Sequence, residues 1–262
     1  MKLNKLNAAL VTASVLLSAN AVANDEQSAE YHDADPRNSS KRIGVFADQD
    51  GELKLLAGGG AAGLTSDISQ TIGFAEYYTQ SNNARLRAAH FDSFGGVYVD
   101  IYHLDESAGM FTAGYMLPLS SDNGTQFFPS LNYTYLDFKT DDIADMASGI
   151  PGSPLPPITS KEVAEALGGE EAHLGSINLY ALHAWNETHF SVFNVNLGSS
   201  YGGVDMNVAN LMWLQGIKTQ VGEQVVNVIF ELKYDYVEIQ NTAKGDINSD
   251  GFTASIGVDF RF

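Results

Sequence analysis

The last eleven residues constrain this chain more than any other stretch. From Phe252 to Phe262 every second side chain is apolar (Phe252, Ala254, Ile256, Val258, Phe260, Phe262), and between them stand Thr253, Ser255, Gly257, Asp259 and Arg261. A period of two belongs to an extended strand with one face against something apolar and the other against water or polar groups. The pattern recurs upstream. Val97, Val99 and Ile101 alternate with Tyr98, Asp100 and Tyr102, and Val226, Val228, Phe230, Leu232, Tyr234 and Tyr236 alternate with Asn227, Glu231, Lys233 and Asp235. Apolar residues scattered in this way build sheets rather than the longer apolar runs of a soluble core.

This ending resembles the closing strand of bacterial outer-membrane β-barrel proteins, whose chains typically finish on phenylalanine after alternating apolar positions. The resemblance rests on these ten or so residues and on the upstream alternation. It implies a transmembrane antiparallel up-and-down β-barrel of the general porin-like class. It also implies contact with outer-membrane lipid and lipopolysaccharide, recognition of the C-terminal strand by the barrel-assembly machinery, and residence in the outer membrane of a Gram-negative bacterium.

The other end fits export. Lys2 and Lys5, an apolar core from Ala8 to Leu17 and the small-x-small exit Ala21-Val22-Ala23 form a secretory signal peptide over residues 1–23, with cleavage before Asn24. The apolar core is too short to span a bilayer. Loss of Lys2 and Lys5 takes the 14 basic residues to 12 against 32 acidic ones, so the formal charge moves from −18 to −20. Such a surface repels phosphate backbones and argues against a nucleic-acid partner. The absence of cysteine excludes lipoprotein attachment, disulfides and thiolate metal sites, and nothing calls for a cofactor.

Residues 24–41 are polar and predict a flexible periplasmic arm. From Arg42 to Phe262 the alternation predicts up to twelve strands (twelve adopted, eight the lower bound), near 42–48, 53–63, 70–79, 83–91, 96–104, 107–118, 125–138, 173–185, 189–200, 206–219, 224–238 and 252–262. If the chain ends in the periplasm, counting back makes the tight turns at Gln220–Glu223, Asn186–Thr188 and Ser120–Gly124 periplasmic. The one long connection, 139–172, then lies outside the cell, which is the rule for membrane barrels. Ten steps from Phe252 at ~3.3 Å, tilted by ~40°, rise roughly 25 Å, the height of the apolar band. Phe260 and Phe262 would sit in the periplasmic aromatic girdle, Tyr234 and Tyr236 in the outer one. Within the long loop, Thr159 and Glu162 form a capping box and Gly168 a stop, predicting a short helix at 160–167. Such a loop either folds into the lumen or covers the rim.

No constellation predicts an enzyme. Gly58-x-Gly60-x-x-Gly63 lacks the strand-loop-helix context of a dinucleotide site and reads as small residues making room for a bulky neighbour. His189-x-Ser191 resembles the His-x-Ser pair of outer-membrane phospholipases and lipid A deacylases, but it lies beside a periplasmic turn without an asparagine-rich context and reads as a girdle or lumen-edge pair. Asp246, Asn248 and Asp250 start a calcium-loop pattern whose twelfth position is Gly257, so they make at most a weak divalent-cation site in a hairpin.

The functional expectation rests on charge facing inward. Arg85, Arg87, Asp100, Glu231, Lys233, Asp235, Asp259 and Arg261 are predicted to line the lumen. Basic residues on one wall opposite acidic ones on another would set up a transverse field; paired with one another, they would instead fill the bore. The leading expectation is a passive channel for small polar solutes without covalent chemistry. The alternatives are a non-conducting structural or surface-interaction barrel of solitary autotransporter type and, resting only on His189 and Ser191, a lipid-modifying barrel enzyme.

Overall fold

The structure is a computed structural model that describes residues 31–105, 107–148, 159–222, 224–243 and 245–262. The expected signal peptide, residues 24–30 of the expected arm and the loop stretch 149–157 lie outside the described residues. Thirteen strands follow in chain order: β1 (Arg42–Asp48), β2 (Leu53–Ala62), β3 (Gln70–Tyr78), β4 (Ala84–Asp92), β5 (Gly95–Leu104), β6 (Ala108–Met116), β7 (Leu119–Ser120), β8 (Gln126–Phe138), β9 (Glu171–Ala184), β10 (His189–Gly203), β11 (Met206–Val221), β12 (Gln224–Ile239) and β13 (Ile247–Arg261). Each long strand pairs antiparallel with its neighbours, β1 pairs β13 from Arg42↔Arg261 to Asp48↔Ser255, and β6 pairs β8 from Ala108↔Phe138 to Met116↔Ser130. The sheet therefore closes on itself as a twelve-stranded barrel, and the two-residue β7 pairs only with the foot of β8. Closure leaves no edge strand with unpaired backbone groups.

The strand count and most boundaries match the sequence expectation. The exception is β13, which starts at Ile247 rather than 252, because β12 continues to Ile239 and its backbone needs partners out to Ile239↔Ile247.

Alternation sorts the two walls, and glycine lets the inner one fit. Phe74 lies flat across Gly58, where a Cβ would stand 2.1 Å from its Cδ1; Phe46 covers Gly257 (2.3 Å), Phe91 covers Gly96 (2.3 Å) and Phe190 covers Gly216 (2.0 Å). Inward aromatics thus lie along the wall on bare backbone instead of projecting across the bore. The bulky neighbour expected beside Gly58 is Phe74. Gly58→Ala is expected to cost about 1–3 kcal/mol through overpacking. Gly175→Ala, where an added Cβ meets nothing within 4 Å, should stay within about 0.5 kcal/mol. Urea midpoints of the two variants refolded in lipid vesicles check the contrast.

The long β8–β9 connection carries two helices, α1 (Thr140–Ser148) and α2 (Ser160–Leu167). The predicted helix α2 has the expected reciprocal cap between Thr159 and Glu162 and the left-handed Gly168 stop. The sequence reading did not include α1. Leu167 packs against Ala172, Leu174, Val204 and Met206, a buried cluster at the outer end of β9 and β11. Ala172, Leu174 and Met206 share the inward parity of their strands, so the C-terminal end of α2 leans over the bore rather than lying on the outer rim.

The opposite end departs from expectation. The expected flexible arm is, over residues 31–41, a compact coil bound into the mouth of the barrel, with Asp35, Asn38 and Ser39 buried. Its polarity was read as a demand for bulk water, but the mouth it occupies is itself polar and satisfies it.

Candidate functional site

The inner wall divides into a charged half and a neutral one. In the charged half the residues singled out from the sequence make local contacts. Arg85 grips Asp100 through Nε (2.9 and 3.1 Å) and Nη2 (2.5 Å), reaching diagonally from β4 to β5. Arg87, directly opposite Asp100 in register, turns the other way and donates to Glu76 on β3. Glu231 receives Lys54 (3.3 Å) and Lys233 (3.0 Å), and Asp259 receives Arg261 (3.1 Å) with Arg42 farther off at 3.9 Å. Asp235 accepts from Asn210 Nδ2 at 2.8 Å. Acidic and basic groups therefore do not occupy facing walls; of the two arrangements weighed from the sequence, local pairing is the one present, as a row of ion pairs along β1–β5, β12 and β13. The sequence reading missed Arg42, Lys54 and Glu76. Their signal was available, since each shares the inward parity of its strand.

The neutral half is built of amides and hydroxyls. Tyr98 donates to Asn132 Oδ1 (2.5 Å), whose Nδ2 donates to Ser176 Oγ (3.1 Å); Asn196 donates to Asn210 Oδ1 (3.1 Å) and Thr112 pairs with Thr134 (2.8 Å). Several inward atoms retain unused capacity. Among the described residues, Arg42 Nε, Arg87 Nε, Asn178 Oδ1 and Asn227 Oδ1 are buried with no hydrogen-bond partner in the protein. Both guanidinium groups lie over the Phe74 ring, at 4.1 and 5.7 Å from its centroid.

The outer wall is the reverse. Leu131 is 68% exposed, Ile256 59%, Ile177 58% and Phe193 54%, and Val97, Val99 and Ile101 are all exposed on β5. A polar interior inside a continuous exposed apolar shell on a closed sheet has one stable setting, with hydrocarbon outside. The chain is a transmembrane β-barrel. Among the described residues no helix is long and apolar enough to cross a membrane, so the barrel crosses with its strands. Tyr234 and Tyr236 lie on the outward face toward the β12–β13 connection, and Phe260 and Phe262 lie outward at the opposite end.

No protein-family model and no curated protein matches the sequence. Solved structures similar to the barrel include NanC porin in a rhombohedral crystal form, at 7% identity and TM-score 0.45 over 85% of this chain and 100% of that one, and KdgM porin, at 9% identity and TM-score 0.41 over 85% and 99%.

The remaining candidates separate in space. Ser191 Oγ accepts from Trp185 Nε1 (2.8 Å) and donates to Gln215 Oε1 (2.7 Å), while His189 engages Thr188 and Asn186. Ser191 pairs in register with Gln215, which pairs with Phe230, so this polar group sits on the outer wall beside the β9–β10 turn, as a girdle does. The barrel does not bring His189 and Ser191 together as base and nucleophile. Asn248 and Asp250 lie within β13, and Asp246 accepts the Asn241 amide (3.1 Å). Two of the three weak cation-site candidates thus belong to a strand rather than to a hairpin turn, and no described group of three or more His, Asp or Glu could hold a metal.

The mouth at the β1 start is filled by residues 31–40. Asp35 clasps Arg37 through both carboxylate oxygens (2.9 and 2.8 Å), and Arg37 lies over the rings of Tyr31 (4.5 Å) and Phe128 (5.3 Å). Asp33 takes Lys218 (3.3 Å) and Asn227 (3.4 Å), and its carbonyl accepts Arg261 Nη2 (2.6 Å). Burial raises the Asp33 carboxyl, but Arg261 and Lys218 outweigh it and hold the group below its ordinary value. Burial, countered in part by Asp33, lowers His32, whose ring stands edge-on to Phe190 at 4.8 Å.

Proposed function

We propose that the barrel is a passive channel for small polar solutes in the outer membrane of a Gram-negative bacterium, with no covalent chemistry. The observation that carries this is that charged side chains on the inner wall stay open to solvent although they are ion-paired. A barrel serving only as an anchor would complete its interior with side chains that satisfy one another and exclude water. Here Arg87 keeps 38% of its side-chain exposure and Arg85 and Lys233 28% each. A small cleft of about 40 Å³ opens among Lys54, Tyr78, Glu231, Lys233 and Ser255 on the charged side. An interior of this kind supports hydration, and a hydrated bore passes solutes by size and polarity. The lean of α2 over the outer end gives the 139–172 loop a place to narrow entry.

In this reading the outer wall meets lipid and, in the outer leaflet, lipopolysaccharide, and the C-terminal strand ending in Phe262 is the element that assembly machinery takes hold of. Discrete single-channel steps are expected from the protein refolded into planar bilayers. Complete silence, both for the whole protein and for a variant lacking 139–172, would reject the channel.

A further inference from the structure

We propose that residues 31–40 are a displaceable gate across the periplasmic mouth, seated chiefly through Asp33, and that conduction rises when the segment leaves its seat. This inference rests on the channel reading above.

The segment spans the mouth rather than trailing along one side. Ser39 Oγ donates to Gln70 Oε1 on β3 (3.0 Å), and Ser39 O accepts the Gly60 amide on β2 (2.8 Å). Tyr180 OH on β9, near the far side of the ring, donates to Ala34 O (2.6 Å). Between these ends lie the contacts of Asp33 with β11 and β12 and of its carbonyl with Arg261 on β13.

The way it is held is what a gate needs. Its apolar contacts are few: Ala34 packs against Leu182, Phe190 and Val192, His32 stands edge-on to Phe190, and Arg37 lies over Phe128. The other attachments are hydrogen bonds and ion pairs, which water can replace when the segment swings out. Asp35, Arg37 and Asn38 bond chiefly within the segment, with Asn38 Nδ2 donating to Tyr31 O (2.8 Å), so the coil can keep its own structure while leaving. A segment fixed for good would bury apolar side chains; this one exchanges polar partners for water. Its downstream tether is secure, because residue 41 joins β1 and Lys41 O accepts the Phe262 amide (3.0 Å). The Asp33 carboxylate makes the segment's ion pair with the wall, to Lys218 on β11, beside the Asn227 amide on β12, while Arg261 on β13 donates to the Asp33 carbonyl and to Ser40 Oγ (3.0 Å). Removing that carboxylate strips a charge-assisted contact, expected to raise the unseated fraction roughly tenfold.

The test uses the full mature chain in lipid bilayers, as wild type, Asp33→Ala and the size-preserving Asp33→Asn, which guards against a fold defect. Mean conductance is expected to rise in both variants. A second readout exploits the lack of cysteine: Ala34→Cys should react slowly with a membrane-impermeant maleimide, and roughly tenfold faster when combined with Asp33→Asn. Wild type and variants conducting alike would overturn the gate and leave the channel standing. Equal labelling rates in the two backgrounds would overturn the seat. Silence of all three proteins would overturn the gate together with the channel, even if labelling accelerates.

Discussion

Leu131→Arg is expected to destabilise the folded barrel by about 2–4 kcal/mol, measured as the shift in urea unfolding of protein refolded into vesicles. Leu131 stands one residue from the centre of β8, 68% exposed, between Tyr115 and Ile177 in register. On a soluble protein an exposed leucine exchanged for arginine changes stability by only a few tenths of a kcal/mol. The large loss arises only if hydrocarbon faces this position, because a guanidinium at mid-depth must drag water or headgroups toward it. Depth supplies an internal control. Val221, exposed at the periplasmic end of β11, should tolerate arginine at a cost of about 0–1 kcal/mol. The neighbouring face supplies another, since Asn194→Arg points into the lumen and should lose far less than Leu131→Arg. Equal effects at all three positions would mean that the apolar shell does not face lipid.

The barrel was legible in the sequence because a closed membrane sheet obeys two local rules at once, period two along each strand and short turns at one rim. Val97 to Tyr102 and Phe252 to Phe262 declare their faces residue by residue, and the chain parity that puts 139–172 at the rim opposite the C-terminal residue needed no tertiary information. The helix α2 was legible for the same reason, since Thr159, Glu162 and Gly168 cap it from within the sequence. The Thr140-Asp-Asp start of α1 carried a comparable but weaker signal, a hydroxyl followed by acids in the first turn.

What stayed hidden depended on register or on a polar interior. Alternation places Arg87 and Asp100 inward, but only the diagonal reach of Arg85 shows that Asp100 is already taken and that Arg87 must find Glu76. The residues 31–41 read as solvated because polarity normally marks solvent exposure, whereas in a barrel with a polar bore it fits the interior equally well. The pairing that seats them joins Asp33 to Lys218, 185 positions away in the chain, a contact that no spacing rule anticipates. The Asp246-Asn248-Asp250 pattern, read as at most a weak cation site in a hairpin, falls partly within β13. Its turn chemistry is real, but backbone pairing to the long β12 overrode it.

Arg85→Ala is expected to cost about 3 kcal/mol, the lower end of the roughly 3–5 kcal/mol found when one partner of a buried ion pair is removed. Asp100 is 6% exposed, and its carboxylate would lose the three short contacts it receives from Arg85. Arg87 stands opposite in register but is bound to Glu76, so recruiting it to Asp100 would strand a second buried acid. The lower end applies because Arg85 keeps 28% of its side-chain exposure and lumen water can reach the vacated space. Removing both charges, as Arg85→Ala with Asp100→Ala, should cost less than the sum of the single changes, with a coupling of about 0.5–3 kcal/mol in a double-mutant cycle. The exposed helical pair Lys161 and Glu165, 3.7 Å apart with side chains 83% and 67% exposed, is the reference, and breaking it should cost no more than about 1 kcal/mol. A cycle at Arg85 and Asp100 as weak as the one at Lys161 and Glu165 would mean that the bore is hydrated enough to screen its own ion pairs. Those charges would then be free to engage passing solutes rather than committed to holding the wall.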